Sequence, residues 1–165
     1  MWVFILLLVA IVGGLAYLIY ATRRGMALLQ AEWVIETALD EATLIALVKK
    51  ALKGLNPLAG TRSGDGVISR TINKGTFSSK VHDSATVQIS IADAAEGGSR
   101  LVQAEIGDWD WGCYAMMSAM GARPVRSIEA CAKRIKAVMG KIREADPHAI
   151  VHADPHHPDL VGTKI

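Results

Sequence analysis

The chain has 165 residues, a formal net charge of +2 and 5% aromatic residues. Its two cysteines exclude a disulfide framework and suit free thiols in a reducing compartment, although a single pair could still bond outside the cell. Once an apolar N-terminal run is set aside, about 120 residues remain up to Asp146, enough for one domain with a single two-layer core.

Met1 to Tyr20 carry no charge, and Arg23-Arg24 follow directly. A helix from Trp2 to Tyr20 would be about 28 Å long, close to the roughly 30 Å hydrocarbon core of a bilayer. Trp2, Tyr17 and Tyr20 stand where interfacial aromatics belong, and Gly13-Gly14 is tolerated in lipid. A secretory signal peptide is the competing reading. Against it, no Lys or Arg precedes the run, the run is long for such a peptide, and Ile19 to Arg23 make a poor cleavage site. The expectation is an uncleaved single-pass anchor over 1–22 in the cell membrane. Because the basic pair follows the span, the positive-inside rule puts the N-terminus outside and the C-terminal domain in the cytoplasm.

Residues 23–30 read as a juxtamembrane continuation with Gly25 as its weak point. Over 31–37, Trp33 and Ile35 alternate with Glu32, Val34 and Glu36, predicting a strand. Leu44, Leu47, Val48, Ala51, Leu52 and Leu55 then share one helical face. Asp40 and Glu41 at its start and Lys49, Lys50 and Lys53 near its end favour the helix dipole. Gly54 and Asn56-Pro57 stop it, and 57–66 has loop chemistry.

Strands are predicted over 67–73, 76–82, 85–92 and 100–106, with Asn73-Lys74-Gly75 and Glu96-Gly97-Gly98-Ser99 as turns. Their half-polar alternation fits an antiparallel sheet with one buried face. A helix from about Val125 to Arg143 carries the stripe Val125, Ile128, Ala132, Ile135, Val138/Met139 and Ile142. The fold class is therefore α+β, a transmembrane helix followed by a two-layer domain over 31–145, with about five antiparallel strands packed on a long C-terminal helix. The element order β-α-β-β-β-β-α resembles the TBP-like layout or a reduced helix-grip (START-like) fold. The second likeness would imply an apolar cavity between sheet and helix.

Four constellations carry possible chemistry. Gly60 to Gly66 looks like a phosphate loop but lacks the Gly-Lys-Ser/Thr ending and precedes a strand, so it reads as a connection. Asp108-Trp109-Asp110-Trp111 runs into Cys113, Tyr114, Met116, Met117 and Met120. Adaptable methionines beside tryptophans suit an interface as well as a core, so Trp109, Trp111, Tyr114, Met116, Met117 and Met120 are the candidate partner or ligand contacts. Cys113 is a poor nucleophile candidate, because no motif places a His or acid beside it and its alanine-and-methionine neighbourhood gives no reason for a lowered thiol pKa.

The C-terminal helix is basic on its outer side. Arg123, Arg126, Lys133, Arg134, Lys136 and Lys141 are candidate contacts for a membrane surface or an acidic partner, or else an ordinary solvated face. No aromatic platform accompanies them, which disfavours nucleic acid. In the tail, Ala145-Asp146-Pro147-His148 recurs as Ala153-Asp154-Pro155-His156. His and Asp at this density can hold a metal, but the prolines argue against a preorganised site, and 146–165 reads as a flexible tail.

With no acid–base, nucleophilic, cofactor-binding or metal constellation, the chain is expected to be non-enzymatic. The expected protein is a single-pass membrane protein whose cytoplasmic domain binds a protein partner or serves as an accessory subunit of a membrane assembly. The alternative is a small-molecule or lipid-binding module with an apolar cavity.

Overall fold

The computed structural model describes residues 2–53, 62–64, 66–73, 81–94, 98–113, 126–152 and 154. One helix, α1, runs unbroken over Trp2–Gln30. Its first part is exposed and apolar, whereas Ala21, Gly25 and Leu28, spaced to share one face, are buried. Gly25 is thus no hinge. It lies in the stripe by which α1 enters the domain, and packing supplies the helical stability that glycine's propensity withholds.

Strand β1 (Trp33–Thr37) follows, with Trp33, Ile35 and Thr37 buried. Helix α2 (Glu41–Leu52) starts at Asp40, whose carboxylate accepts from the Thr43 amide at 2.9 Å and the Thr43 hydroxyl at 2.6 Å. Those bonds, the hydroxyl's first, hold the Asp40 carboxyl below its usual range.

Strands β2 (Arg62–Gly64), β3 (Val67–Asn73), β4 (Val81–Asp93) and β5 (Arg100–Cys113) come next, then helix α3 (Arg126–Ala145) and strand β6 (Ile150–His152). All pairings are antiparallel in one six-stranded sheet of order β2-β3-β4-β5-β1-β6.

The α+β layout therefore holds, with four corrections in detail. Arg62–Gly64 is a strand, not loop: Asp65-Gly66 between Gly64 and Val67 is a strong hairpin signal, and Gly66 sits at φ 76°. The strands expected over 76–82 and 85–92 meet in one continuous β4 from Val81, while 76–80 lie outside the described residues. β5 runs past Ile106 to Cys113. The tail begins with an ordered turn and β6 on the edge of β1; beyond it, 155–165 lie outside the described residues.

Helices α2, α3 and the end of α1 lie on one face of the sheet: α3 contacts β4, β5, β3 and β1, α2 contacts β3 and α3, and α1 contacts α3 and β5. The core between the layers is built from Trp33, Ile35, Leu44, Val48, Ile68, Val87, Ile89 and Val102 against Ile128, Ile135, Met139 and Ile142. The other face of the sheet carries Ser69, Thr71, Gln88, Ser90, Gln103 and Glu105. Described helices leave it open, and Val67, Gln88, Ser90, Gln103 and Glu105 line a shallow depression there.

Candidate functional site

The tryptophan stretch begins at a break in strand pairing. Ser84 pairs with Asp110 and Thr86 with Gly107, so Ala85 faces both Asp108 and Trp109, a β-bulge. Asp108 takes φ 48°, a conformation that short acidic side chains tolerate better than most. The extra residue inverts the alternation. Before it Val102, Ala104 and Ile106 point inward; after it the odd-numbered Trp109 does.

Trp109 is half-buried, and its indole N–H donates to Asp83 Oδ1 at 3.2 Å. Asp83, 3% exposed, also accepts from the Ser127 amide at 2.8 Å and from the Ser127 hydroxyl. The carboxylate on β4 thereby caps the N-terminus of α3 from outside that helix, where the dipole favours a negative charge. Trp109 is a member of this buried cap. Trp111 pairs through its backbone with Asp83. Tyr114, Met116, Met117, Met120 and Arg123 lie outside the described residues.

One turn along α3, Cys131 is fully buried, and its thiol donates to the Ala85 carbonyl at 3.5 Å. Burial first, and the Asp83 charge second, push the thiol up to about 12, so this cysteine stays protonated and unreactive while the domain is folded. Sequence reasoning passed over Asp83 because it lies in a polar stretch with no apolar alternation to mark its face. It passed over Arg70 for the opposite reason: Arg70 occupies a core-facing register position on β3, and its guanidinium donates to the Leu52 carbonyl at the end of α2.

The basic side of α3 is largely exposed. Arg126, Lys133 and Lys141 face solvent, and Arg134 and Lys136 are half-buried. Lys141 is paired with Glu144 at 2.5 Å. Arg126 and Lys133, seven residues apart, share the outer row, and neither has an acidic partner among the described residues.

The repeated Ala-Asp-Pro-His unit has a structural use. Asp146 Oδ2 accepts from the Thr37 hydroxyl at 2.6 Å and the Ala38 amide at 3.0 Å, and its Oδ1 accepts from the His148 amide at 3.0 Å. Asp154 Oδ2 accepts from the Glu32 amide at 3.0 Å. The two aspartates thus grip the two ends of β1 while β6, between them, pairs with its edge. His152 Nε2 lies 3.5 Å from Glu36 across that edge. Among the described residues no three His, Cys, Asp or Glu side chains come together as a metal-binding set.

The described part of the molecule is therefore an apolar helix continuous with an α+β domain, with the buried charged side chains Arg70, Asp83, Asp146 and Asp154 committed to helix ends and a strand clasp. Comparison with models of known protein families gives no match, and no curated protein matches the chain.

Proposed function

We propose that the chain is a single-pass membrane protein in which α1 remains attached and holds a non-catalytic binding domain at the cytoplasmic surface of the cell membrane, as an accessory subunit of a membrane assembly. The observation that carries this reading is the dual character of α1. Trp2 to Tyr20 form a fully helical, solvent-exposed apolar segment, and three residues of the same unbroken helix, Ala21, Gly25 and Leu28, are buried by the domain. A cleavable signal peptide is separated from its mature domain by an accessible stretch with small residues at the cut. Here the helix passes straight through Ile19 to Arg23, and the first residue after Tyr20 is already a domain contact.

The buried polar groups support a non-catalytic role, since Asp83, Arg70, Asp146 and Asp154 are engaged in holding secondary structure. Among the described residues, the polar face of the sheet is a broad surface that the helices leave to a partner. A long helix laid across one antiparallel sheet supports the helix-grip-like reading of the layout. A ligand cavity gains no such support, because Val87, Ile89, Ile128, Ile135 and Met139 fill the described interface between sheet and α3. Three measurements together test the proposal. Protein extracted from membranes should resist alkaline carbonate and give the intact mass of the full chain, and a thiol introduced at Gly162 should react with an impermeant reagent only after lysis. A shortened soluble product, or labelling in intact cells, would overturn it.

A further inference from the structure

The domain grips α1 directly after its apolar segment, at Ala21, Gly25 and Leu28. If Trp2 to Tyr20 cross the hydrocarbon core, the next turn of α1 lies in the headgroup layer, which adds about 5–7 Å on each side of the core. Arg23 and Arg24 occupy that turn and are exposed. Ala21 is in the same turn and only 3% exposed, so the surface that covers it reaches headgroup height. Of the domain elements described, α1 contacts α3 and β5. The N-terminus of α3 is fixed at the far end of β5, because Asp83, which binds the Ser127 amide, pairs with Trp111. That end lies beyond the start of β1, since Trp33 pairs with Ala104, well before β5 ends at Cys113.

We propose that Arg23 and Arg24 on α1, together with Arg126 and Lys133 on the outer row of α3, form one cationic surface that binds the anionic lipid headgroups of the leaflet into which α1 emerges. Charge complementarity selects this occupant. The four side chains have no acidic partner among the described residues, whereas Lys141, further along α3, is already neutralised by Glu144. The surface rests on the reading of α1 as an anchor and adds to it a lipid preference and a fixed posture of the domain. A cation near an anionic leaflet contributes on the order of fivefold in association, and the effect fades as the Debye length shrinks with salt.

The full chain in phosphatidylcholine vesicles, doped with spin-labelled phosphatidylglycerol or spin-labelled phosphatidylcholine, reports which lipid is retained at the protein boundary. The wild-type chain should favour phosphatidylglycerol several-fold at low salt and approach no preference at high salt. R23Q/R24Q should keep part of that preference, and adding R126Q/K133Q should remove the remainder. K141Q, with its cation already paired, should change it little. If R23Q/R24Q alone abolishes the preference, or R126Q/K133Q leaves it unchanged, the domain does not contribute and the proposal fails while the anchor stands. A chain that does not float with the vesicles at all would instead bring down the anchor reading. A circular dichroism spectrum matched to wild type confirms that each variant is folded, as expected for exposed charges.

Discussion

Replacing Asp146 by alanine should loosen the whole β1 edge. The carboxylate accepts three hydrogen bonds, from the Thr37 hydroxyl, the Ala38 amide and the His148 amide. Bonds to a charged acceptor contribute roughly 1.5–3 kcal/mol each when buried, and water can replace part of that at a sheet edge. Thr37 is 2% exposed, so its hydroxyl would be left without this acceptor. The expected loss for Asp146→Ala is about 2–4 kcal/mol, a large share of the roughly 5–15 kcal/mol that stabilises a domain. Urea unfolding of the full chain in detergent, followed by circular dichroism, measures it. A double-mutant cycle with Thr37→Val should show a coupling of about 1–2 kcal/mol, because both changes remove the same bond. The pH dependence has a definite sign. The Thr37 hydroxyl first, then the Ala38 amide, hold the carboxyl below its ordinary 3.8. Its contribution is therefore complete above that value and is lost as the pH falls through the lowered folded-state pKa. Asp146→Asn should lack this acid-dependent component. Strict additivity with Thr37→Val, or an unchanged acid profile in Asp146→Asn, would refute the clasp.

Ile135 is fully buried on the core-facing side of α3, so Ile135→Asp should cost more than about 4 kcal/mol or prevent folding, while Ala137→Asp on the exposed face of the same helix should stay within about 0.5 kcal/mol. Arg70→Met keeps most of the volume but removes the donor to the Leu52 carbonyl; about 1.5–3 kcal/mol should be lost, with faster amide exchange in the last turn of α2. Cys131 should resist thiol reagents in the folded chain and react at once in denaturant. Since its folded pKa is raised from 9.0 to about 12, the protonated thiol favours folding fully below pH 9, and that contribution fades as the pH climbs towards 12; Cys131→Ala should flatten this alkaline loss.

The elements with clean periodicity were legible in the sequence. The α3 stripe, the β1 alternation and the Asp40 start of α2 all stand in the structure because each records burial on one face. β5 was read short because the bulge at Asp108-Trp109 inverts its alternation, and a period-two pattern cannot be followed through an inserted residue. β6 was missed for a different reason. It is an exposed edge strand held by aspartates that bond backbone amides far away in sequence, a kind of contact that leaves no periodic trace. Arg70 and Asp83 share that invisibility: a charged residue on a core-facing register position looks like an ordinary break in pattern until its helix-end partner is known. Of the residues singled out for contact, Arg126 and Lys133 are exposed with no acidic partner among the described residues, Lys141 is paired with Glu144, and Trp109 is taken up by the Asp83 cap.

The continuity of α1 is the central claim, and hydrogen exchange of the full chain in lipid nanodiscs tests it most directly. Amides from within the span through Leu28 should be protected without interruption, because the same hydrogen-bond ladder continues from the bilayer into the domain core and Ala21, Gly25 and Leu28 are buried there. A band of rapid exchange across Thr22 to Gly25, flanked by protected segments on both sides, would show a flexible joint between anchor and domain and would contradict the account.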